Sequence, residues 1–462
     1  MCCYTLLNNA HKAQKYETRY KNRHKNICES KRAFWQSLRH YRAFDKIKSQ
    51  SKAWFNSPEF KTKYIDTNHP YPPLLNPATI DYESISAEVA WELNLPLPPN
   101  YDLIFFSNGA SASAYICQCF THCGLKIYPH WIGIGKTDFK EKYTLNYDLI
   151  LQKTNYFNII IVCVFATHNN KLFWLLPKSV PLLYVARDPI SRVKSACNHD
   201  AGIAIPIQSR RLNLSKTDFA NLIPTAKYYT LNGVANKPQI QSAFDLNRFY
   251  HLVCFDSFLS QMPNLGQKYI FSFESFAPNR CFKTFRQIAK IFNLNMPQDE
   301  RLFNTRAEKA RFGLGVLPVE FSHDKITIHI CSDSSVRNNE IVELTETILG
   351  KSHYFINDSE IIIYTTKNNA KLLESSNDFV RIKAYLNNYI KALENNVKAT
   401  LQSLIREEQI LEYLRSDKQK REMLKSAFDN ELGFLKANYP DIVESWKYYN
   451  EFEKMCAELD ST

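Results

Sequence analysis

The sequence has little glycine and no long apolar run, and these two absences exclude several classes of protein. Only 11 of its 462 residues are glycine, whereas 45% are hydrophobic and 13% aromatic, so the chain is neither disordered nor of low complexity. The longest apolar run, FNIIIVCVFA from Phe157 to Ala166, is about half of a bilayer span and predicts a buried strand. We therefore expect two or three globular domains and no transmembrane helix.

The cysteines also lack a pattern that would indicate secretion. The 12 cysteines form no even framework, and the opening MCCYTLLNNAHK has no apolar signal core, which predicts a reducing, cytoplasmic location. Cys117, Cys119, His122 and Cys123 lie close together, but Cys117 and Cys119 point to different faces of a helix and no second pair follows at zinc spacing. We interpret them as small core residues and predict no metal site.

The positive charge is concentrated near the N-terminus. Residues 1–63 contain 15 Lys or Arg and four Asp or Glu, which gives +11 of the overall +12. Basic and aromatic residues alternate in KRAFWQSLRHYRAFDKIKSQSKAWF, a pattern that suits a polyanion or peripheral contact with an anionic membrane surface, such as the inner face of a membrane. The alternative is a helix with a solvated basic face and an apolar stripe. Only the positive charge would suit a nucleic acid, and no recognised nucleic-acid-binding motif accompanies it. No nucleic-acid partner is therefore predicted.

Changes in hydrophobic period divide the rest of the chain. Two proline clusters, HPYPPLLNP and LPLPPN, flank the helical ISAEVAWEL and mark the entry to a new domain. From Tyr101 to Pro297, short apolar runs alternate with helical patterns, which indicates an α/β domain with a mostly parallel sheet. The strands KITIHICS and EIIIYTT are expected to extend or flank that sheet. The predicted domains are a basic helical arm over 1–66, an α/β domain over 67–368 with its core at 101–297, and a helical tail over 369–462.

The first predicted strand of the α/β domain leads into a loop of small residues. In YDLIFFSNGASASAYICQCF, the strand Leu103 to Phe106 comes before this loop, and a helix begins near Ala112. The free amides of a helix N-terminus and small side chains let the backbone approach a phosphate closely. The Gly-Lys-Ser/Thr ending of a Walker A loop is missing, and an ordinary serine-capped turn is the alternative. The candidate phosphate ligands of the loop are Ser107, Asn108, Gly109, Ala110 and Ser111.

A second candidate stretch, LLYVARDPISRVKSACNHD, places an arginine between a strand and a helix. Arg187 ends the strand, Pro189 suits the first turn of a helix, and Ser195 follows eight residues after Arg187. The planar fork of an arginine matches a phosphate and a serine hydroxyl adds a donor, so both are candidate donor-binding residues. Asp188 is interpreted as a helix N-cap. Arg192 is either a second anion contact or a surface residue.

Two histidines are candidates for contact with the reacting groups. His168 lies just past the long apolar strand, and in open parallel sheets the carboxyl ends of strands form the ligand crevice. A neutral imidazole there suits a general base, with a hydrogen-bonded structural histidine as the alternative. His130, in KIYPHWIGIG, is a candidate acceptor contact or a packed loop histidine.

Together these stretches resemble the sulfotransferase family. The resemblance covers FFSNGASAS, Ala166-Thr167-His168 in place of a Lys-Thr-His motif, Arg-Asp-Pro with a serine eight residues on, and the strand end Phe273-Glu274-Ser275-Phe276. It implies a P-loop-type α/β fold in which the loop holds the donor's 5′ phosphosulfate, His168 is the catalytic base, and Arg187 and Ser195 hold the 3′ phosphate.

Two departures from that family affect the group transferred. Ser107 and Ala166 stand where the family commonly has lysines, which neutralise the sulfuryl group and the leaving phosphate. Lys136 and Lys194 are candidates to replace that charge. Glu274, in the stretch that resembles the family's strand end, is interpreted as structural.

A second resemblance rests on HPYPPLLNP, WELNLPLPPNYDLIFFSNGASAS and the Arg-Asp-Pro stretch. These are similar to an uncharacterised family of bacterial proteins labelled as sugar transferases and found with surface or capsular polysaccharide loci. The two resemblances imply a transferase that moves a sugar, phosphoramidate or sulfuryl group from a nucleotide-type donor to a hydroxyl of a glycan or lipid-linked glycan. No tightly bound cofactor is expected beyond the donor, which acts as co-substrate. The alternative is a catalytically degenerate sulfotransferase fold that binds partners as a scaffold.

Overall fold

The computed structural model describes most of the chain after residue 50, and the statements below refer to that part. The described residues are 51–127, 139–151, 158–162, 171–176, 178–198, 211–223, 240–244, 252–262, 264–304, 317–332, 336–356 and 359–460. Most of the predicted basic arm therefore lies outside the described residues. Residues 51–55 are helical, and Pro58–Phe60 (α1) continues into a π-helical turn at Lys61–Ile65.

The described chain combines α-helices with two larger β-sheets, which confirms the predicted α/β class. The helices that follow α1 are α2 Ala87–Glu92, α3 Ser113–His122, α4 Phe139–Leu151, α5 Lys171–Trp174, α6 Pro189–Cys197, α7 Phe219–Leu222, α8 Asp256–Gln261, α9 Pro278–Phe292, α10 Thr345–Leu349, α11 Lys367–Glu374, α12 Phe379–Gln402, α13 Glu407–Ser416, α14 Lys418–Glu431, α15 Gly433–Asn438, α16 Pro440–Glu444 and α17 Lys447–Asp460. The strands are β1 Leu103–Phe106, β2 Lys126–Ile127, β3 Asn158–Val162, β4 Val180–Ala186, β5 Arg211–Leu212, β6 Leu265–Ser272, β7 Val319–His323, β8 Ile326–Cys331, β9 Ile341–Glu343, β10 Phe355–Ile356, β11 Ser359–Glu360 and β12 Ile362–Thr366. No helix within the described ranges is both long and apolar enough to cross a membrane.

The chain folds into two compact units, each built from separate segments. Unit 1 takes in the described residues of Met1–Arg192, Phe244–Phe303 and Leu414–Thr462, and unit 2 those of Val193–Ala243 and Asn304–Tyr413. Of the described helical residues after 368, those up to Tyr413 belong to unit 2 and those from Leu414 onward belong to unit 1.

A parallel sheet of five strands forms the centre of unit 1, in the order β2-β3-β1-β4-β6. All four residues of β1 are buried, as a strand covered on both faces requires. On one face, Phe105 packs against Phe120 of α3, which in turn contacts Phe285 of α9. On the other face, Phe106 stacks on Phe258 of α8 with ring centroids 3.7 Å apart.

The strand order places a topological switch point between the ends of β1 and β4. These two strands are neighbours, but the chain leaves β1 toward β2 on one side of the sheet and leaves β4 toward β6 on the other. Such a switch in direction opens a gap outside the carboxyl ends of the two strands, where open α/β sheets bind ligands. In unit 1 that gap lies between the residues that follow Phe106 and those that follow Ala186.

Unit 2 has its own five-stranded sheet, in the order β5-β7-β8-β12-β9. The strands KITIHICS and EIIIYTT, which were expected to extend or flank the first sheet, form the antiparallel pair β8 and β12 here. They do not extend the first sheet, because residues 326–330 of β8 alternate between buried and half-buried and so pack on one face only. Helix α12 belongs to the same core, with Ile382, Leu386 and Leu393 buried beside Ile328 and Ile330.

Two carboxylates join the C-terminal helices of unit 1 to α8. Glu431 accepts hydrogen bonds from the backbone amides of Phe255 and Ser257, both at 2.9 Å, and from the Ser257 hydroxyl. In return, Asp256 accepts the backbone amide of Phe434 at 2.9 Å, at the start of α15. Each helix N-terminus thus receives a carboxylate from the other segment, which places negative charge where the helix dipole favours it.

Replacing Glu431 with Gln is expected to change how stability depends on pH. Burial raises the pKa of Glu431 above its ordinary value of 4.5, against the opposing effect of its hydrogen bonds from Ser257 and Phe255. The folded state therefore binds the Glu431 proton more tightly than the unfolded state. The contribution of Glu431 to the free energy of unfolding is full below pH 4.5 and declines as pH rises through the folded pKa. Glu431→Gln removes that decline, so we expect the wild type to lead the variant by more at pH 4 than at pH 7 in urea denaturation; an equal difference at both pH values would contradict this.

Candidate functional site

The predicted loop of small residues follows β1 as expected and leads into α3. Ser107, Asn108 and Ser111 are buried, with exposed fractions of 0%, 2% and 0%, whereas Gly109 and Ala110 are half-buried. The Ser107 hydroxyl donates to the carbonyl of Asn108 at 3.1 Å. These buried polar residues lie at the carboxyl end of β1, on the edge of the crevice.

The backbone of the loop is held in an uncommon conformation. Ala110 and Ala112 have φ angles of 61° and 57°, in the left-handed region that residues with a Cβ rarely adopt. Such positions cost about 1–3 kcal/mol each and concentrate at ligand-binding and active sites. Ala112 also occupies the N-cap of α3, where no side chain caps the first amides of the helix. The loop therefore presents uncapped helix N-terminal amides, the arrangement that favours an anion.

Ser111 lies between these two alanines. Its hydroxyl is buried and has no hydrogen-bond partner among the residues that the structure describes. A buried hydroxyl without a partner costs free energy, so such groups in folded proteins call for an explanation. A ligand oxygen at the start of α3 would supply the missing partner.

Arg187, the second predicted element, meets this loop directly. It follows the last residue of β4, and its Nη1 donates a hydrogen bond to the carbonyl of Ala110, 77 residues earlier in the sequence. The guanidinium carbon lies 4.1 Å from the ring centroid of Phe273, which follows β6. The structure thus brings Arg187 and the loop together at the ends of neighbouring strands. Phe273 was not singled out from the sequence for this role, and its position directly after a strand end was the available signal.

Asp188 caps α6, as predicted, and does more than a cap requires. One oxygen accepts the amides of Ile190 and Ser191, at 2.9 and 3.2 Å. The other accepts the amides of Tyr448 and Tyr449, also at 2.9 and 3.2 Å, at the start of α17. Burial raises the pKa of the Asp188 carboxyl, and these four hydrogen bonds oppose the rise. Asp188 therefore holds in place the segment that contains Arg187, and the role of its carboxylate is structural.

A chain of buried hydrogen bonds runs beneath the loop. Tyr184 of β4 donates to the side-chain oxygen of Asn108, whose amide nitrogen donates to the carbonyl of Cys254 at 2.8 Å. Nη1 of Arg192 donates to the Tyr184 hydroxyl at 3.4 Å. Arg192 has an exposed fraction of 0%, so the interpretation as a surface residue is wrong. Tyr184 was not predicted from the sequence, where the available signal was a hydroxyl in the otherwise apolar strand LLYVA.

The remaining candidates fall into two groups. Ser195 is half-buried on α6, and the adjacent Lys194 forms an ion pair with Glu407 at 3.1 Å within unit 2, so its charge is already engaged. Glu274 is exposed and accepts the hydroxyl of Ser272 at 2.5 Å, which is consistent with a structural role. The remaining named candidates lie outside the described residues: His168 with Ala166, His130 and Lys136.

The cysteine cluster on α3 belongs to the core of unit 1. Cys117, Cys119 and Cys123 are buried, and the sulfur of Cys119 lies 3.9 Å from that of Cys281 on α9. Within the described ranges, no group of three His, Cys, Asp or Glu side chains is placed to hold a metal ion.

One family model matches part of the chain. It carries the description "Protein of unknown function (DUF2972)" and covers residues 273–459, from the residue that stacks on Arg187 to the last helix. The loop after β1 and Arg187 itself precede the matched segment. No curated protein matches the chain.

Replacing Asp188 with Ala is expected to lower the free energy of unfolding by about 2–4 kcal/mol, because a helix cap is lost and buried amides remain unpaired. Asp188→Asn keeps one acceptor oxygen and should lose less. Urea denaturation followed by circular dichroism measures both. Asp299→Ala is the control, since that exposed aspartate pairs only locally with Arg301. Equal stability of Asp188→Ala and the control would refute the structural role of Asp188.

Proposed function

We propose that this protein is a group transferase with a sulfotransferase-like core, which binds a phosphate of a nucleotide-type donor between the β1–α3 loop and Arg187. The group transferred is a sugar, a phosphoramidate or a sulfuryl group, and the acceptor is a hydroxyl of a glycan. The observation that carries the proposal is the hydrogen bond from Arg187 to Ala110, which joins the two candidate phosphate elements.

The position of this contact supports a ligand site. It lies at the carboxyl ends of β1 and β4, where the chain leaves the two strands in opposite directions. Ligands of open α/β sheets bind at such switch points because no helix covers the gap. An arginine that only bound a loop carbonyl would not need to lie at the switch point between β1 and β4.

The local chemistry favours an anion over a neutral ligand. Arg187 is positive at any physiological pH, and its stacking on Phe273 holds the guanidinium plane in place. The uncapped amides at the start of α3 and the Ser111 hydroxyl add hydrogen-bond donors, and they add no negative charge that would repel an anion. Hydrogen bonds to a charged phosphate are about twice as strong as neutral ones, so these donors together favour a phosphate.

The topology also supports the assignment of a base after β3. Strand β3 pairs with β1 in parallel, so Val162 ends at the same edge of the sheet as Phe106. His168 follows Val162 by six residues in the sequence. In the proposal, a neutral His168 takes the proton of the acceptor hydroxyl as that oxygen attacks the activated group, and the phosphate-bearing part of the donor departs.

The absence of two lysines bears on which donor is used. Ser107 takes a position where sulfotransferases commonly have a lysine, and it is buried with its hydroxyl bonded to the next carbonyl. Lys194, a candidate replacement, is paired with Glu407. A donor that develops less negative charge on the transferred group than a sulfuryl donor is therefore favoured within the proposal.

Donor binding is tested by thermal denaturation against nucleotide sugars, CDP- and CMP-linked donors, the sulfated adenosine donor and adenosine bisphosphate. A donor at 100 times its Kd should stabilise the wild type by about 2.7 kcal/mol. Arg187→Ala should weaken that donor by about 1.5–3 kcal/mol, because a charge-assisted contact is lost. Arg301→Ala is the matched control, since Arg301 is exposed and pairs with Asp299. A donor response that survives Arg187→Ala would overturn the phosphate site, and the lack of any response would favour the scaffold alternative.

Replacing His168 with Ala should lower kcat by about 10²- to 10⁴-fold and leave donor affinity nearly unchanged, because a general base acts in the chemical step. Steady-state kinetics with the donor identified by denaturation measure kcat, and calorimetry measures donor affinity. His122→Ala is the control, because it removes a histidine that lies at the end of α3 opposite the loop. Full turnover by His168→Ala would show that another group is the base.

A further inference from the structure

Arg192 is a buried arginine that forms no ion pair within the described residues. Its exposed fraction is 0%, and the one hydrogen bond of its side chain within the described residues is the 3.4 Å contact from Nη1 to the Tyr184 hydroxyl. Nε and Nη2 have no hydrogen-bond partner there. A guanidinium stays protonated in proteins, so it cannot escape this cost by losing its charge.

The nearby acidic side chain does not supply a partner. Glu431 is the buried carboxylate whose charge acts on Tyr184 together with that of Arg192. Its two oxygens accept hydrogen bonds from the amides of Phe255 and Ser257 and from the Ser257 hydroxyl, and no ion pair joins it to Arg192 within the described residues. Glu431 therefore leaves the donors of Nε and Nη2 unsatisfied.

The two unpartnered nitrogens lie on one edge of the guanidinium. Their N–H bonds run parallel and match two oxygens of a phosphate, the bidentate geometry that sets arginine apart from lysine. The opposite nitrogen, Nη1, is held by Tyr184, which is itself held by Asn108 of the loop. Arg192 is therefore anchored on one side and has two donors available on the other.

We propose that Arg192 is a further phosphate-binding residue of the donor site, which takes two phosphate oxygens on its Nε and Nη2 edge. This inference rests on the proposed donor site. It adds Arg192 as a contact to the anion. The buried hydrogen bonds from Arg192 to Tyr184 and from Tyr184 to Asn108 then connect that contact to the loop. Ser111, with a buried and unpartnered hydroxyl in the same loop, is the second group that a phosphate would satisfy.

A ligand-binding role and a structural role predict opposite effects of Arg192→Met on stability. Methionine removes a buried charge without removing much volume, and replacing a buried, poorly paired charge by an apolar side chain is often neutral or stabilising. If Arg192 serves the ligand, Arg192→Met keeps or raises the Tm of the ligand-free protein and weakens phosphate binding. If Arg192 is a structural counter-ion, the same substitution lowers the Tm.

The test measures Tm and the Kd of inorganic pyrophosphate for the full chain by calorimetry. We expect Arg192→Met to bind pyrophosphate at least tenfold more weakly, with a Tm no lower than that of the wild type. Arg192→Lys keeps the positive charge but lacks the two parallel N–H donors, and it should also bind pyrophosphate at least threefold more weakly. Arg421→Met is the control: Arg421 is also buried, but its Nη1 is bonded to the carbonyls of Leu414 and Arg415, so its loss should lower the Tm and leave the Kd unchanged.

The outcomes separate this inference from the proposed function. Suppose that Arg187→Ala binds pyrophosphate more weakly and both Arg192 variants bind it as the wild type does. That result would overturn the role of Arg192 and leave the proposed donor site in place. No pyrophosphate binding by the wild type would overturn both. If Arg192→Met does not fold, wild-type affinity of Arg192→Lys would overturn the proposal, and weaker affinity at an unchanged Tm would support it. Equal affinity for malonate, which has carboxylates but no phosphate, would overturn the assignment to phosphate.

Discussion

The parallel pairing of β1 with β4 is the constraint on which the candidate site depends. Because the two strands are neighbours, the residues that follow them emerge side by side, yet the chain departs from them toward opposite edges of the sheet. The gap this leaves cannot be filled by a helix of either connection. The loop after β1 borders it with small residues, and Arg187 borders it from β4 and bonds to Ala110 across it. The loop's two left-handed alanines are held in place by these surroundings.

One short segment contains both the best satisfied and the least satisfied buried charges of this region. Asp188 accepts four backbone amides, and four residues later Arg192 has two nitrogens without partners among the described groups. Burial alone therefore does not explain the difference, since both side chains are more than nine-tenths buried. A carboxylate that uses all its capacity holds the backbone in place. The guanidinium of Arg192, held at one nitrogen, has donors left that no described group accepts.

The sequence predicted the local elements of the site well and its three-dimensional setting only in part. The strand of β1, the start of α3 and the helix after Arg187 follow from apolar runs, small residues and Pro189, all of which act over a few neighbours. The burial of Arg192 was not predicted, because a charged residue in a helix between Ser191 and Val193 gives no sign of what packs over it. The second sheet was expected beside the first because periodicity identifies a strand without identifying its partner.

The four amides on Asp188 have a consequence for how this protein is made. The cap of α6 is local, but the other two amides belong to residues 260 and 261 positions further along the chain, so the bonds that join Asp188 to α17 form only after Tyr449 has left the ribosome. At about 5–20 residues per second, that delay is roughly 13–52 seconds, during which the residues of unit 2 are also synthesised. During that interval one oxygen of the Asp188 carboxylate lacks its two partners from α17. Unit 1 is therefore completed only when its C-terminal helices have been made.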